Sequence, residues 1–189
     1  MSENDLDSRP GLPDSLRVLL AEYPREAWRT DPGFSGLVKF WLDRHMSFRE
    51  LHAALTSETD ARLDAGGDAD RHRAIVSRYG GMLVNGLHGH HHIEDAHYFP
   101  LLAEKDARIL GAFELLDADH HRLDRALHDF TVAANALITA DGTGPDAKTP
   151  VAAFRDELAG LGRLLDRHLT DEEDVVVPVI LRYGDAALG

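Results

Sequence analysis

The chain contains no cysteine, which excludes disulfides, zinc fingers and thiol catalysis. Long apolar runs are missing as well: no stretch approaches the ~18 consecutive apolar residues of a membrane span. The start, Met-Ser-Glu-Asn-Asp, has neither a basic nor an apolar leader region. Positive charge is scarce, with 20 Lys and Arg against 33 Asp and Glu and a net charge of −13. Such a balance argues against nucleic acid or an anionic membrane as partner. Apolar and polar residues nowhere alternate with period two over any length, so strands are not expected. A cytoplasmic location is the simplest expectation. What the sequence has in excess is histidine: twelve residues, five of them between positions 88 and 97.

With 189 residues and 43% hydrophobic side chains, the chain suffices for one domain with its own core. Residues 1–33 are punctuated by Pro10, Pro13, Pro24 and Pro32. A short helix is expected there around Asp14–Glu22, and the apolar Leu16, Leu19, Leu20, Tyr23 and Trp28 suggest a strap lying across the rest. Four long amphipathic helices follow. The first is expected to start at Asp31-Pro32, with Phe34, Val38, Trp41, His45, Phe48, His52 and Leu55 along its inward seam. The second, about 70–103, carries Val76, Tyr79, Leu83, Leu87, His90, Glu94, His97 and Leu101, with a kink or early stop expected near Pro100. Its glycines Gly80, Gly81, Gly86 and Gly89 suggest close approach of another segment. The third, about 107–139, runs along Ile109, Phe113, Leu116, His120, Leu123, Leu127 and Phe130. A loop over residues 140–148 leads to the fourth, from Thr149-Pro150 to about Arg182, along Phe154, Leu158, Leu161, Leu165, His168, Glu172, Val175 and Val179. The expected fold is all-α: an up-down-up-down four-helix bundle over 34–183, preceded by the strap at 1–33 and followed by a tail at 184–189.

An imidazole interrupts each of the four apolar seams, at His45, His90, His120 and His168. Glu94 and Glu172 follow one helical turn after His90 and His168, and Pro100 and Pro178 stand six residues beyond the glutamates. Residues i and i+4 share a helix face, so each His-x-x-x-Glu offers a nitrogen and an oxygen to one point, the donor set of a metal ion. Buried carboxylates need compensating charge, and no Lys or Arg lies on these seams. His45 and His120 are 75 positions apart and Glu94 and Glu172 are 78 apart, so the two helix pairs read as two versions of one unit. The proline spacing favours His90 over its neighbour His91 as the inward member. His88, His91, His92, His121 and His128 read as surface groups, with His91 kept as the alternative to His90. His52 and His97 fall on inward seams near the ligand level, as extra ligands, partners behind the ligands, or satisfied core histidines.

These residues, together with Leu-His-Gly-His-His-His-Ile-Glu-Asp-Ala-His-Tyr-Phe-Pro and Asp-Arg-His-Leu-Thr-Asp-Glu-Glu-Asp, resemble the hemerythrin-like (HHE cation-binding) family, in particular its stand-alone bacterial members. The resemblance implies two iron ions in an oxo- or hydroxo-bridged centre. Glu94 and Glu172 would bridge, with His45 and His90 on one ion and His120 and His168 on the other. The oxygen carriers of the family have a further histidine on the third helix, where this chain has Asp124. With one imidazole fewer the centre is expected to be more open, unless Asp124, His97 or His52 fills in.

The resemblance implies a non-haem di-iron protein that binds or reduces small oxidants, namely dioxygen, nitric oxide or hydrogen peroxide. Phe48, Leu87 and Leu123 suggest an apolar pocket for them. As an enzyme it would resemble a peroxide- or nitric-oxide-consuming oxidoreductase with an unidentified redox partner. The alternative is an iron or oxygen sensor, a metal-binding interaction protein without turnover. A ferritin-like site is excluded, because Glu94-x-x-His97 has no counterpart after Glu172.

Overall fold

The computed structural model describes residues 4–141 and 148–184. Among them there is no strand, and no helix is long and apolar enough to cross a membrane. The helices are α1 (Gly36–Ala65), α2 (Ala69–Ile93), α3 (Phe99–Ala103), α4 (Leu110–Thr139) and α5 (Thr149–Tyr183). A π-helical stretch, Glu94–Tyr98, joins α2 to α3, and 3-10 turns occupy Arg25–Thr30 and Ala107–Ile109. Most of the expected loop at 140–148 and of the tail at 184–189 lies outside the described residues.

The N-terminal segment departs from expectation. Asp14–Glu22 is a series of separate turns, closed for example by Leu16 N–H to Pro13 O and Leu20 N–H to Arg17 O. The helical element assigned among the described residues of this segment is the later 3-10 stretch. Asp31-Pro32 likewise does not open α1. The Asp31 side chain accepts the Gly33 N–H at 2.7 Å and its carbonyl accepts Phe34 N–H at 3.0 Å, which folds a tight turn. Here only glycine fits, because a Cβ at Gly33 would stand 2.8 Å from the Leu181 carbonyl oxygen. Ser35 then caps α1 by accepting Val38 N–H. Asp68 caps α2 through the amides of Asp70 and Arg71.

The kink expected at Pro100 takes the form of the π-helical stretch. Proline lacks the N–H that would bond the Ala96 carbonyl, and its ring crowds that carbonyl in a regular helix. Widening the turn relieves both, and Phe99 N–H bonds Glu94 O instead. The extra residue rotates everything after it by one position. Phe99 and Leu102 are buried, whereas Leu101 is on the surface and His97 is exposed. The seam read through His97 and Leu101 is corrected accordingly.

The described residues form two compact units. The first takes residues 1–46, 90–122 and 166–189, and its core is built from Leu12, Leu19, Trp28, Val38, Trp41, Phe99, Phe113 and the Val175–Val177 run. The second takes 47–89 and 123–165, with Phe48, Leu55, Leu83, Leu87, Leu123, Leu127, Phe130 and Phe154 buried. In this second unit His52 Nε2–H donates to the Leu158 carbonyl oxygen at 2.9 Å. A Cβ at Gly162 would come within 2.3 Å of that nitrogen. Of the α2 glycines, Gly80 packs against the Phe130 ring, while Gly81 and Gly89 face open space. Close approach therefore does not explain those two.

Candidate metal centre

All the converging donor groups lie in the first unit. The inner half of α5 is buried on every side from Asp171 to Leu181, so Asp171, Glu172, Glu173 and Asp174 all enter the interior. His45 of α1, His90 at the end of α2, Glu94 of the π-helical stretch and Glu172 form one buried group, with a donor atom from each within 4.8 Å of the others. His91, His120 and His168 form a second group on the same criterion. The carboxylates reach both groups. Glu172 lies 3.2 Å from His45 Nε2 and 3.4 Å from His168 Nε2. Glu94 lies 3.0 Å from His90 Nε2 and 3.6 Å from His120 Nε2.

His91 is the main correction to the sequence reading. It is 4% exposed, not a surface group, and it does not replace His90, which is buried too. Its ring stacks on His120 with centroids 4.1 Å apart and meets His168 edge-on at 5.5 Å. Adjacent residues on a helix are separated by about 100°, so His90 and His91 straddle the seam and address different groups. Asp124 is about half exposed, belongs to the second unit and lies 3.6 Å from His88. His97 is exposed and His52 is engaged with Leu158. None of these three joins either group. Phe48, Leu87 and Leu123, the expected pocket, are fully buried members of the second unit.

Burial and close neighbours perturb the titratable groups of the centre strongly. Burial, reinforced by the neighbouring Glu172 charge, pushes the Glu94 carboxyl well above its ordinary range. Burial acts on Glu172 in the same sense, but His45, His168 and His90 around it prevail and hold it well below. Burial disfavours a protonated His45, yet Glu172 and Glu173 outweigh it and raise the imidazole to about 9. His90, chiefly through burial, falls to about 3, and burial with the nearby histidines takes His91 well down. Both nitrogens of His91, both oxygens of Glu94, one of Glu172 and Nε2 of His120 and His168 are buried with no aligned hydrogen-bond partner. Orphaned atoms of this kind are costly, and nitrogen and carboxylate donors converging in two groups are what one metal ion per group would satisfy.

Behind these groups the Nδ1 atoms of His45, His120 and His168 are engaged. His45 Nδ1 lies 3.1 Å from Glu173, His120 Nδ1 2.7 Å from Asp95 and His168 Nδ1 3.5 Å from Asp119. An Nδ1–H donated to carboxylate leaves Nε2 free as an acceptor, the tautomer that metal ligation needs. The Trp41 indole N–H donates to Glu172 at 2.6 Å.

A family model, the hemerythrin HHE cation-binding domain, matches residues 36–180. The chain belongs to this family. No curated protein and no solved structure matched. Membership in the hemerythrin HHE family implies metal binding, and the two donor groups are residues that could hold a metal ion. The sequence reading missed three carboxylates of this hemerythrin-family centre. Asp95, Asp119 and Glu173 are each the immediate neighbour of a converging residue: Glu94, His120 and Glu172. Each serves a histidine on another helix, and that adjacency was the available signal. For the arginines that hold two of them, Arg9 and Arg25, the irregular N-terminal sequence carried none.

Proposed function

We propose that the chain binds two iron ions, one among His91, His120 and His168 and one at His45 and His90, with Glu94 and Glu172 shared between them. In this reading the four long helices form an up-down-up-down bundle around the centre, which binds or reduces dioxygen, nitric oxide or hydrogen peroxide. The observation that carries it is the pair of buried donor groups, supported by membership of the hemerythrin family. Iron bound there supplies one-electron redox chemistry and a site for small ligands. The chain's own residues fix the site. Trp41 holds Glu172 by its N–H and, with Tyr98 tilted against it at 5.2 Å, covers the His45 and His90 side. His91 supplies a fifth imidazole in place of the one that Asp124 lacks, so the openness expected from Asp124 does not carry this reading. The donor set is asymmetric, three imidazoles against two.

The test is elemental analysis with optical spectra of protein reconstituted anaerobically with ferrous ion, then exposed separately to each oxidant. Two irons per chain, one for each donor group, and a new near-ultraviolet or visible band on exposure are expected. A single zinc, or no iron uptake, overturns the proposal. Sustained consumption of peroxide or nitric oxide assigns an oxidoreductase. A band that forms without consumption assigns binding alone, in keeping with a sensor.

A further inference from the structure

Arg9 is an unusual residue for an irregular N-terminal segment: its side chain is completely buried. Its guanidinium donates through Nη1 and Nη2 to the two oxygens of Asp119, the first contact at 2.8 Å. Its Nε donates to Asp171 at 2.8 Å. The Asp119 oxygen that accepts Nη2 is also the one facing His168 Nδ1. Arg25 makes a looser version of the arrangement on the other group, with a side chain 37% exposed and a single contact to the carboxylate behind the histidine. Its Nη1 donates to one oxygen of Glu173 at 3.0 Å, while the other oxygen of Glu173 meets His45 Nδ1. Arg25 also holds Asp174 through Nε at 2.6 Å and the Thr170 carbonyl through Nη2. One arginine thus stands behind each of the two donor groups, in each case through a carboxylate. Both arginines precede residue 36, where the family match begins.

A purely structural ion pair is a weak reason to bury a guanidinium, since desolvation offsets most of the attraction and an apolar replacement is often as stable. Orientation is a stronger one. A carboxylate gripped by the planar fork of arginine is fixed in position and plane, and so fixes the ring it accepts from. We propose that Arg9 and Arg25 are positioning residues of the metal centre. Arg9 acts through Asp119 on His168, Arg25 acts through Glu173 on His45, and the N-terminal segment is thereby a working part of the site. This rests on the two-metal reading above.

The experiment uses the full-length chain and Co2+, whose visible spectrum reports ligand geometry without any reaction. Arg9→Gln and Arg25→Gln are compared with Arg182→Gln, which removes another tie of the N-terminal segment, to Glu22, without touching a carboxylate behind a histidine. Partners behind metal ligands are typically worth 10–100-fold in affinity. Each of the first two variants is expected to weaken one of the two cobalt sites by roughly that factor and to alter its spectrum, with Arg182→Gln unchanged in both. Should either arginine variant fail to fold, Asp119→Asn and Glu173→Gln keep the arginines and the side-chain size and are expected to give the same loss. Wild-type affinity and spectrum in all folded variants overturn the positioning role and leave the two-metal reading intact. An equal loss in Arg182→Gln also overturns it, because the segment then acts only as packing. If the wild-type chain binds no cobalt and no iron, the two-metal reading fails and this proposal falls with it.

Discussion

His90 and His91 are adjacent, chemically identical and both buried, yet they belong to different donor groups. A seam drawn with one residue per turn admits one of them. A pair of metal positions needs both, because neighbouring side chains on a helix diverge by about 100°. Asp124, the position that drew attention in the sequence, is about half exposed beside His88. Metal content should therefore respond to His91→Ala as strongly as to His120→Ala, each losing about one of the two ions proposed for the two donor groups. Asp124→His and His97→Ala should leave the content unchanged. Elemental analysis of the four variants after identical reconstitution checks this, and full occupancy in His91→Ala would show that its burial is only packing.

The long helices were legible because their apolar seams repeat over many turns; α4 and α5 follow theirs from Phe113 to Leu137 and from Phe154 to Val179 with buried residues at each step. What was not legible depends on contacts between elements. The run Asp171-Glu172-Glu173-Asp174 has the composition of a solvated face, yet it is buried because arginines and imidazoles from distant segments meet it. The π-helical stretch was visible only as a proline that had to disturb the helix. Pro178, at the same distance beyond its glutamate, sits inside a continuous α5, so proline alone does not decide the outcome. A π-turn amounts to one residue inserted into an α-helix. Deleting Ala96, which is exposed, should therefore return the segment to α-helix with Phe99 and Leu102 still facing inward. Helical circular dichroism is expected to persist. Metal affinity is expected to fall, because Asp95 loses the placement that brings it to 2.7 Å from His120 Nδ1. Deleting Ser77 from the regular part of α2 rotates all later residues by about 100° and should prevent folding. If both deletions behave alike, the wide turn is not an insertion in this physical sense.

The distribution of cost over the molecule is uneven. The second unit contains an apolar core with polar contacts such as His52 to the Leu158 carbonyl and His72 to Thr59, and one buried hydroxyl without a partner, that of Thr56. The first unit buries the orphaned atoms of Glu94, Glu172, His91, His120 and His168, and unsatisfied buried groups cost about 1–3 kcal/mol each. Metal binding removes that cost where it arises, so its stabilisation should be local before it is global. Ligand at 100 times its dissociation constant adds about 2.7 kcal/mol to the state that binds it. Where amide exchange proceeds through opening of the first unit alone, removing the metal should accelerate it by roughly 100-fold. Hydrogen exchange read by peptide should then show the rise over 90–103, 113–122 and 168–180. Residues 50–62, 72–87, 123–138 and 151–163 should change little, since their protection does not depend on the centre. Adding metal back should restore the slow exchange in the same peptides. A uniform acceleration across both sets would mean that the chain opens as one cooperative body, and the local account of the metal's stabilising effect would fail.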